Sequence, residues 1–524
     1  IVKWTCALPH SYLLRSLRGW SPDRGAEITM IPQEPDFVGS GLPHVGPWDY
    51  IQHVPMWWYG PGYIKAQKPI ARPVTLADIA PTQSDLLNFD GFKAIDGRPM
   101  TEALAQDPKS PGYTPPKLVV VMVWDAGGIN VLQAHPKDWP YLRSMLPQGT
   151  FYENAFVGSS PTSTAQDHAT IGTGAFPIHH GLVGHHFQIN GKDTTPWELG
   201  PNFFMLPTFA DVYDLAKGNA PIVGAVGTAD IHLGMLGHGS FWQGGDRDIA
   251  ITRSAAKKST LTDEGNQWNL PQDLTPYYRL AGYANNVKGF AQDKTKLDRR
   301  DGKLDGNWRD NNIADLLNGF DTPARTPYEE RVVQTVLQRE RFGQDATPDL
   351  FYVNFKEIDY ISHVWSMNSP EMSDAVKYQD DALKQFIAFL NQDVGKGNYV
   401  MVLTADHAAM PNPAVSGGYQ ISTGAIQQQL EAHFDLNGPS VPVVNNVQPS
   451  NIFINTQELA ANGFTLDDVA RFMQGMTQAD TAGAGVVPQP GHENDPVFAA
   501  VFPSAIMEHL PCLPEAAKVM QNAI

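Results

Sequence analysis

Cysteine is nearly absent: the 524 residues hold two, Cys6 and Cys512, one near each end. Two thiols cannot build a disulfide scaffold or a thiolate metal site. They are either one staple between the ends or two unrelated buried thiols. Basic charge is also short, with 37 Lys and Arg against 55 Asp and Glu and a net charge of −18. Binding to a nucleic-acid polymer wants clustered cations and is not expected. Apolar runs stop at strand length, the longest lying around residues 118–124, so no segment approaches the roughly 18 residues of a membrane span. The chain opens Ile-Val-Lys-Trp, with neither an initiator Met nor an apolar leader, and reads as processed or trimmed. Its 42 Pro, 46 Gly and 12 Trp favour a loop-rich enzyme, secreted or periplasmic. A composition of 42% hydrophobic and 18% charged residues is globular.

Residues 96–116 form a Pro/Gly-rich connector after an N-terminal segment. Past it, residues 118–124 (Leu-Val-Val-Val-Met-Val-Trp) are continuously apolar and end at Asp125-Ala-Gly-Gly. Such a run, bounded by a turn, predicts a strand buried on both faces. Residues 350–355 run into Lys-Glu-Ile-Asp359 in the same way, and residues 399–403 into Thr-Ala-Asp406-His407. Helical stretches such as 374–390 lie between, which predicts an α/β fold with a parallel sheet and helices on both faces. Ligands of such sheets bind beyond the carboxyl ends of the strands, where three strands here each deliver an Asp.

Asp359 and His363, four apart, can share a helix face and a cation. Asp406-His407 suits a loop that wraps an ion. The stretch Ser160-Pro-Thr-Ser-Thr164-Ala-Gln-Asp-His168 places hydroxyls at a helix start. That position favours ordinary capping, but it also gives a nucleophile a positive dipole end and free N–H groups. A threonine hydroxyl needs a base or a metal to ionise it. Oxygen and nitrogen donors without thiolate suit zinc, and carboxylate-rich sets suit manganese.

In order along the chain, Trp124-Asp125, Pro161-Thr-Ser-Thr164, His168, Thr173-Gly174, Pro177, His180-Gly181, Asp359…His363 and Asp406-His407 resemble the motifs of the alkaline phosphatase superfamily. They are most similar to its type I phosphodiesterase/nucleotide pyrophosphatase branch with a threonine nucleophile. The resemblance spans roughly residues 117–410. It implies a three-layer sandwich around a central, mostly parallel sheet, with inserted cap elements. It also implies two zinc ions, with manganese as an alternative, and a phosphothreonine intermediate on Thr164. Thr164, Asp125, Asp406 and His407 would hold one ion. Asp359, His363 and one further His would hold the other.

For that last ligand the resemblance points to the front of the chain, to Pro47-Trp-Asp-Tyr-Ile-Gln-His53-Val-Pro-Met-Trp-Trp-Tyr-Gly60. His53 is the expected ligand and His492, in Pro490-Gly-His-Glu-Asn-Asp495, its rival. Residues 11–90 resemble the family's C-terminal portion, which implies a circular permutation. The expected organisation is a permuted part (1–95), the connector (96–116), a main catalytic part (117–455) with insertions at about 185–345, and a closing segment (456–524).

The resemblance also exposes departures. Asp230 and His232 stand where monoesterases of this branch present a Lys-x-Arg pair to the substrate, His185 replaces an Asn, and Asp167 stands where relatives often have Asn. His185, Asp230 and His232 are the expected substrate contacts, with His185 also donating to the reacting phosphoryl group. Tyr360 and Trp365 are candidates for a base-stacking slot. The expected substrate is a small phosphoester, a nucleotide among the candidates. A diesterase or pyrophosphatase is favoured over an alkaline phosphatase or phosphonate hydrolase. A catalytically degenerate binding protein is the non-enzyme alternative.

Overall fold

In the computed structural model the apolar run forms the strand Leu118–Trp124, buried at every position. Its side chains alternate between two cores. Val119, Val121 and Val123 enter one, and Leu118, Val120, Met122 and Trp124 enter the other. That is what a central strand between two helical layers requires. The structure describes residues 1–253, 268–319, 322–438, 441–483, 485–521 and 523.

The strand sits within a nine-stranded sheet. Parallel neighbours Asp349–Phe355 and Tyr399–Thr404 flank it, and Val223–Val226 and Asp248–Arg253 extend the parallel set. On the far side Met56–Tyr59 pairs antiparallel with Tyr399–Thr404 and is followed by Thr150–Phe151. Helices Arg325–Glu340 and Pro370–Leu390 supply one covering layer through residues such as Val332, Val336, Leu383 and Phe386. The second layer includes Ile79–Leu86, Thr164–Thr173 and Phe209–Ala216. The predicted α/β sandwich is therefore present. The long helix starts where Ser369 accepts the Met372 N–H and Pro370 takes the first turn.

The stretch read as insertion, about 185–345, contributes four of the nine strands of this sheet, Val223–Val226, Asp248–Arg253, Trp268–Asn269 and Tyr278–Arg279. The strand Val223–Val226 is only Val-Gly-Ala-Val, too short and small a run to announce itself. Residues 254–267 and 320–321 of that stretch lie outside the described residues.

The N-terminal segment is woven into the molecule. Ile28–Pro32 lies inside a second, antiparallel sheet between Asn451–Ile454 and Phe498–Pro503. Cys6 and Cys512 form a disulfide that closes 506 residues of sequence separation, which settles the staple against two separate thiols. Among the described residues no helix is long and apolar enough to cross a membrane.

Removing this bond by Cys6→Ser should lower stability by about 2–4 kcal/mol while the fold persists. Calorimetry on the variant and on reduced wild type checks this, with both expected to melt earlier by similar amounts.

Candidate active site

Three parallel strands end at one sheet edge. Asp125 follows Leu118–Trp124, Asp406 and His407 follow Tyr399–Thr404, and the helix Glu357–Trp365 after Asp349–Phe355 carries Asp359 and His363. All three aspartates are at most 1% exposed. Backbone donors fix them: Ala126 N and His407 N each donate to Asp406 Oδ1 at 3.0 Å, and Asp125 N donates to the Phe355 carbonyl at 3.0 Å.

Three Asp/His groups with metal-binding spacing result: the first is Asp125, Asp406 and His407, the second is His44, Asp359 and His363, and the third, Asp125, His168 and His232, lies behind Asp125. In the first, His407 Nδ1 donates to the Ala408 carbonyl, which turns Nε2 toward Asp406 Oδ2 at 3.2 Å and Asp125 Oδ1 at 3.7 Å. Against the effect of burial, Asp406 and Asp125 push His407 up to about 9. In the second, Asp359 Oδ1 lies 3.3 Å from His44 Nε2 and 3.5 Å from His363 Nε2. His363 Nδ1 donates to the Gly41 carbonyl at 2.6 Å, which leaves its Nε2 for the cluster. The rings of His44 and His407 stack at 3.5 Å and join the first two groups. Asp359 Oδ1, Asp406 Oδ2 and His407 Nε2 are buried with no hydrogen-bond partner. Leaving such groups unmet costs about 1–3 kcal/mol each. Orphaned carboxylate and imidazole atoms facing one another are what a divalent ion satisfies, so the donor set fits a metal.

Thr164 opens the helix Thr164–Thr173, as expected, with its side chain at the cluster. Capping there does not use the hydroxyls: Asp167 Oδ2 accepts the Ser163 N–H at 2.7 Å. Burial raises the Asp167 carboxyl well above its ordinary range. A protonated acid has the outline of the amide that the resemblance expected there.

Sequence reasoning missed Lys356. Its ammonium, buried under the site, donates to Asp125 Oδ1 at 2.7 Å, Asp359 Oδ2 at 2.8 Å and Thr164 Oγ1 at 3.0 Å. Burial opposes this charge, but Asp125, Asp359 and Asp406 outweigh burial and raise the lysine above its usual value. Burial would likewise raise Asp359, yet Lys356, then His363, hold it well below the carboxylate range. The one available signal was position, since Lys356 is the first residue past a buried strand.

A third set supports Asp125 from behind. Asn354 Nδ2 donates to Asp125 Oδ2 at 2.8 Å and lies 2.9 Å from His168 Nε2, while His168 Nδ1 donates to the Thr164 carbonyl at 2.7 Å. His232 accepts the Ala229 N–H on Nδ1 and turns Nε2 toward Asp125 Oδ2 at 3.4 Å. His232, expected to touch substrate, is thus buried behind a carboxylate. It is carried there because the helix meets the turn Asp230–Met235 backbone to backbone. A Cβ on Gly172 would lie 2.3 Å from the Gly234 carbonyl oxygen.

The other expected residues divide. His185 is exposed by surface area yet densely surrounded. Desolvation, then the charges of Lys356 and His44, lower its pKa. Asp230 heads the turn, its carboxyl raised by burial and hydrogen-bonded to the Ile231 N–H. Tyr360 carries the Arg253 guanidinium over its ring at 5.9 Å. Trp365 is partly buried, packed edge-on against Trp308 at 5.6 Å on the flank of the core. His53 is the main correction of place. Its Nε2 lies 2.7 Å from the Glu153 carbonyl and its ring stacks on Phe156, away from Asp359. His44 occupies that position. His492 is exposed and pairs with Asp495 at 2.7 Å.

Strand-end carboxylates, paired histidines and a helix-start threonine on this sheet define a hydrolase of the alkaline phosphatase superfamily. The model of the family "Type I phosphodiesterase / nucleotide pyrophosphatase" matches residues 119–489, and the chain belongs to that family as a phosphoric ester hydrolase. It is 24% identical over 395 residues to a protein named calcium-transporting ATPase from Myroides odoratus, covering 68% of this chain and 72% of that one. It is 24% identical over 345 residues to alkaline phosphatase PhoV from Synechococcus elongatus, covering 57% of this chain and 60% of that one. Among solved structures, alkaline phosphatase PafA superposes with a TM-score of 0.55 at 18% identity, covering 74% of this chain and 85% of that one.

His44→Ala should weaken metal binding by more than the roughly 10–100-fold typical of groups behind a ligand. His53→Ala should leave it within about twofold. Zinc titration of the two variants by calorimetry separates them; equal losses would return His53 to the site.

Proposed function

We propose that this enzyme cleaves phosphoric diesters or pyrophosphates through a covalent phosphothreonine on Thr164. The observation that carries the reading is that Thr164 Oγ1 accepts from the Lys356 ammonium, which also pairs with Asp125 of the first Asp/His group and Asp359 of the second. Asp125, Asp406 and His407, and Asp359, His363 and His44, are the residues that would hold metal. Zinc suits the nitrogen and oxygen donors, with manganese second. The expectation of two zinc ions requires the carboxylates to be free for them, a condition that Lys356 bears on. Bound metal would supply Lewis acidity, easing ionisation of hydroxyl and water.

The chain's own groups do the rest. Lys356 stabilises negative charge on Thr164 Oγ1 by an ammonium hydrogen bond. Oγ1 gives up its proton to solvent and attacks phosphorus in line. The bond from phosphorus to the leaving oxygen breaks, and that oxygen takes up a proton from water as it departs. The phosphoryl group, still carrying its remaining ester substituent when the substrate is a diester, passes to Thr164. The first-turn N–H groups of the helix and the neutral His185 ring donate to non-bridging oxygens. Water then attacks the same phosphorus and returns Thr164 to its free form. Residues 230 and 232 bring no cation, and His232 is occupied behind Asp125. A diester monoanion needs fewer cationic contacts than a monoester dianion, which supports a diesterase. The names of the relatives favour a monoesterase as the second reading. Tyr360 is the remaining candidate for contact with a nucleobase.

The segment 1–95 supplies His44 and a strand of the main sheet. We read it as the permuted end of the family's catalytic fold. The Cys6–Cys512 disulfide supports an oxidising, secreted or periplasmic setting.

Thr164→Ala should cut turnover by about 10³-fold or more while metal binding largely survives. Undiminished activity would remove Thr164 from the mechanism. Comparison of kcat/KM on bis-p-nitrophenyl phosphate and p-nitrophenyl phosphate should favour the diester; the reverse order makes the enzyme a monoesterase.

A further inference from the structure

Lys356 reaches the first and second Asp/His groups at once. An ammonium has three hydrogens, and Nζ has three oxygens within 3.0 Å: Asp125 Oδ1, Asp359 Oδ2 and Thr164 Oγ1. Every donor is matched, so the lysine is held as firmly as a bound ion, between the nucleophile and one oxygen of each carboxylate. We infer that Lys356 serves as one of the two cations this chemistry uses, so that the site works with one divalent ion and one ammonium. The inference rests on the reading of Thr164 as nucleophile beside these clusters.

Two observations point the same way. The first is charge. Asp125, Asp359 and Asp406 are buried, and Lys356 neutralises one of the three. One divalent ion would bring these three carboxylates and the ammonium to neutrality. A second would leave net positive charge buried, at a cost of several kcal/mol before an anion arrives. The second is the inventory of free lone pairs. On the nucleophile side, Thr164 Oγ1 and Asp125 Oδ1 accept from Lys356, and Asp125 Oδ2 accepts from Asn354. On the Lys356 side of Asp125, Asp406 Oδ2 and His407 Nε2 stay uncommitted, at ion-pair distance from each other, 3.2 Å, while His232 Nε2, also without a hydrogen-bond partner, faces the opposite oxygen, Asp125 Oδ2, at 3.4 Å. On the other side Asp359 Oδ1, His44 Nε2 and His363 Nε2 face one another within 4.8 Å. Catalytic zinc sites use three protein ligands and an open position. Three available donors against two assigns the ion to His44, Asp359 and His363. The cation beside the nucleophile is then Lys356 itself.

The test is metal content of the full chain, purified, loaded with zinc and passed through a desalting column, read by plasma mass spectrometry. Wild type should hold about one ion per chain. Lys356→Ser should rise to about two, because it frees Asp125 Oδ1, Asp359 Oδ2 and Thr164 Oγ1 together. Lys356→Arg, which keeps the charge, should stay near one. Anomalous scattering at the zinc edge should show a single peak beside His44 and His363 in wild type. Two ions in wild type, unchanged in Lys356→Ser, overturn the inference while leaving Thr164 and the phosphoester reading intact. If the serine variant fails to fold, the wild-type count and the anomalous map decide alone. No ion at all in wild type overturns both.

Discussion

Three buried carboxylates at one edge of a parallel sheet are the constraint the rest of the site answers to. An isolated charge taken from water into a protein interior costs several kcal/mol. Asp125, Asp359 and Asp406 are therefore tolerable only because donors converge on them. Backbone N–H groups of Ala126 and His407 hold Asp406, Asn354 and Lys356 hold Asp125, and Lys356, His44 and His363 surround Asp359. The donors come from different parts of the chain, so the site exists only once the fold is complete.

The architecture supplies that convergence. The continuous parallel strands bring Asp125, Asp406 and the Asp359 helix to a common level, and their alternating side chains lock each strand between two helical layers. The helix at Thr164 is pressed onto the Asp230–Met235 turn by glycine on both sides, which also seats His232 behind Asp125. The N-terminal segment closes the cage by placing His44 over His407 and a strand along the sheet. The disulfide then joins the segment's start to the far end of the chain.

Much of this was legible in the amino-acid order. Largely apolar runs of five to seven residues bounded by turns read as buried strands, and the Asp that follows each run inherits the sheet edge. That logic reached Asp125, Asp359, His363, Asp406, His407 and the Thr164 helix start. It failed where position depends on tertiary approach. His44 lies in a Gly/Pro-rich loop without periodicity, and nine residues later His53, whose flanking residues resemble the family's motif, drew the assignment. Lys356 read as an ordinary polar residue after a strand, because an ammonium's partners at 125 and 164 are invisible without the fold. Asp230 and His232 were placed by a motif's spacing, but the turn they occupy faces the back of Asp125.

The central claim is covalent: the phosphoryl group passes through Thr164. Rapid acid quench during turnover of an activated phosphodiester, followed by proteolysis and mass spectrometry, tests it most directly. The account predicts phosphorylation confined to the peptide that contains Thr164, at the threonine itself, appearing before product release and decaying as turnover ends. A phosphoryl group on another residue, or full turnover with no covalent adduct at any quench time together with inversion of configuration at phosphorus, would contradict it.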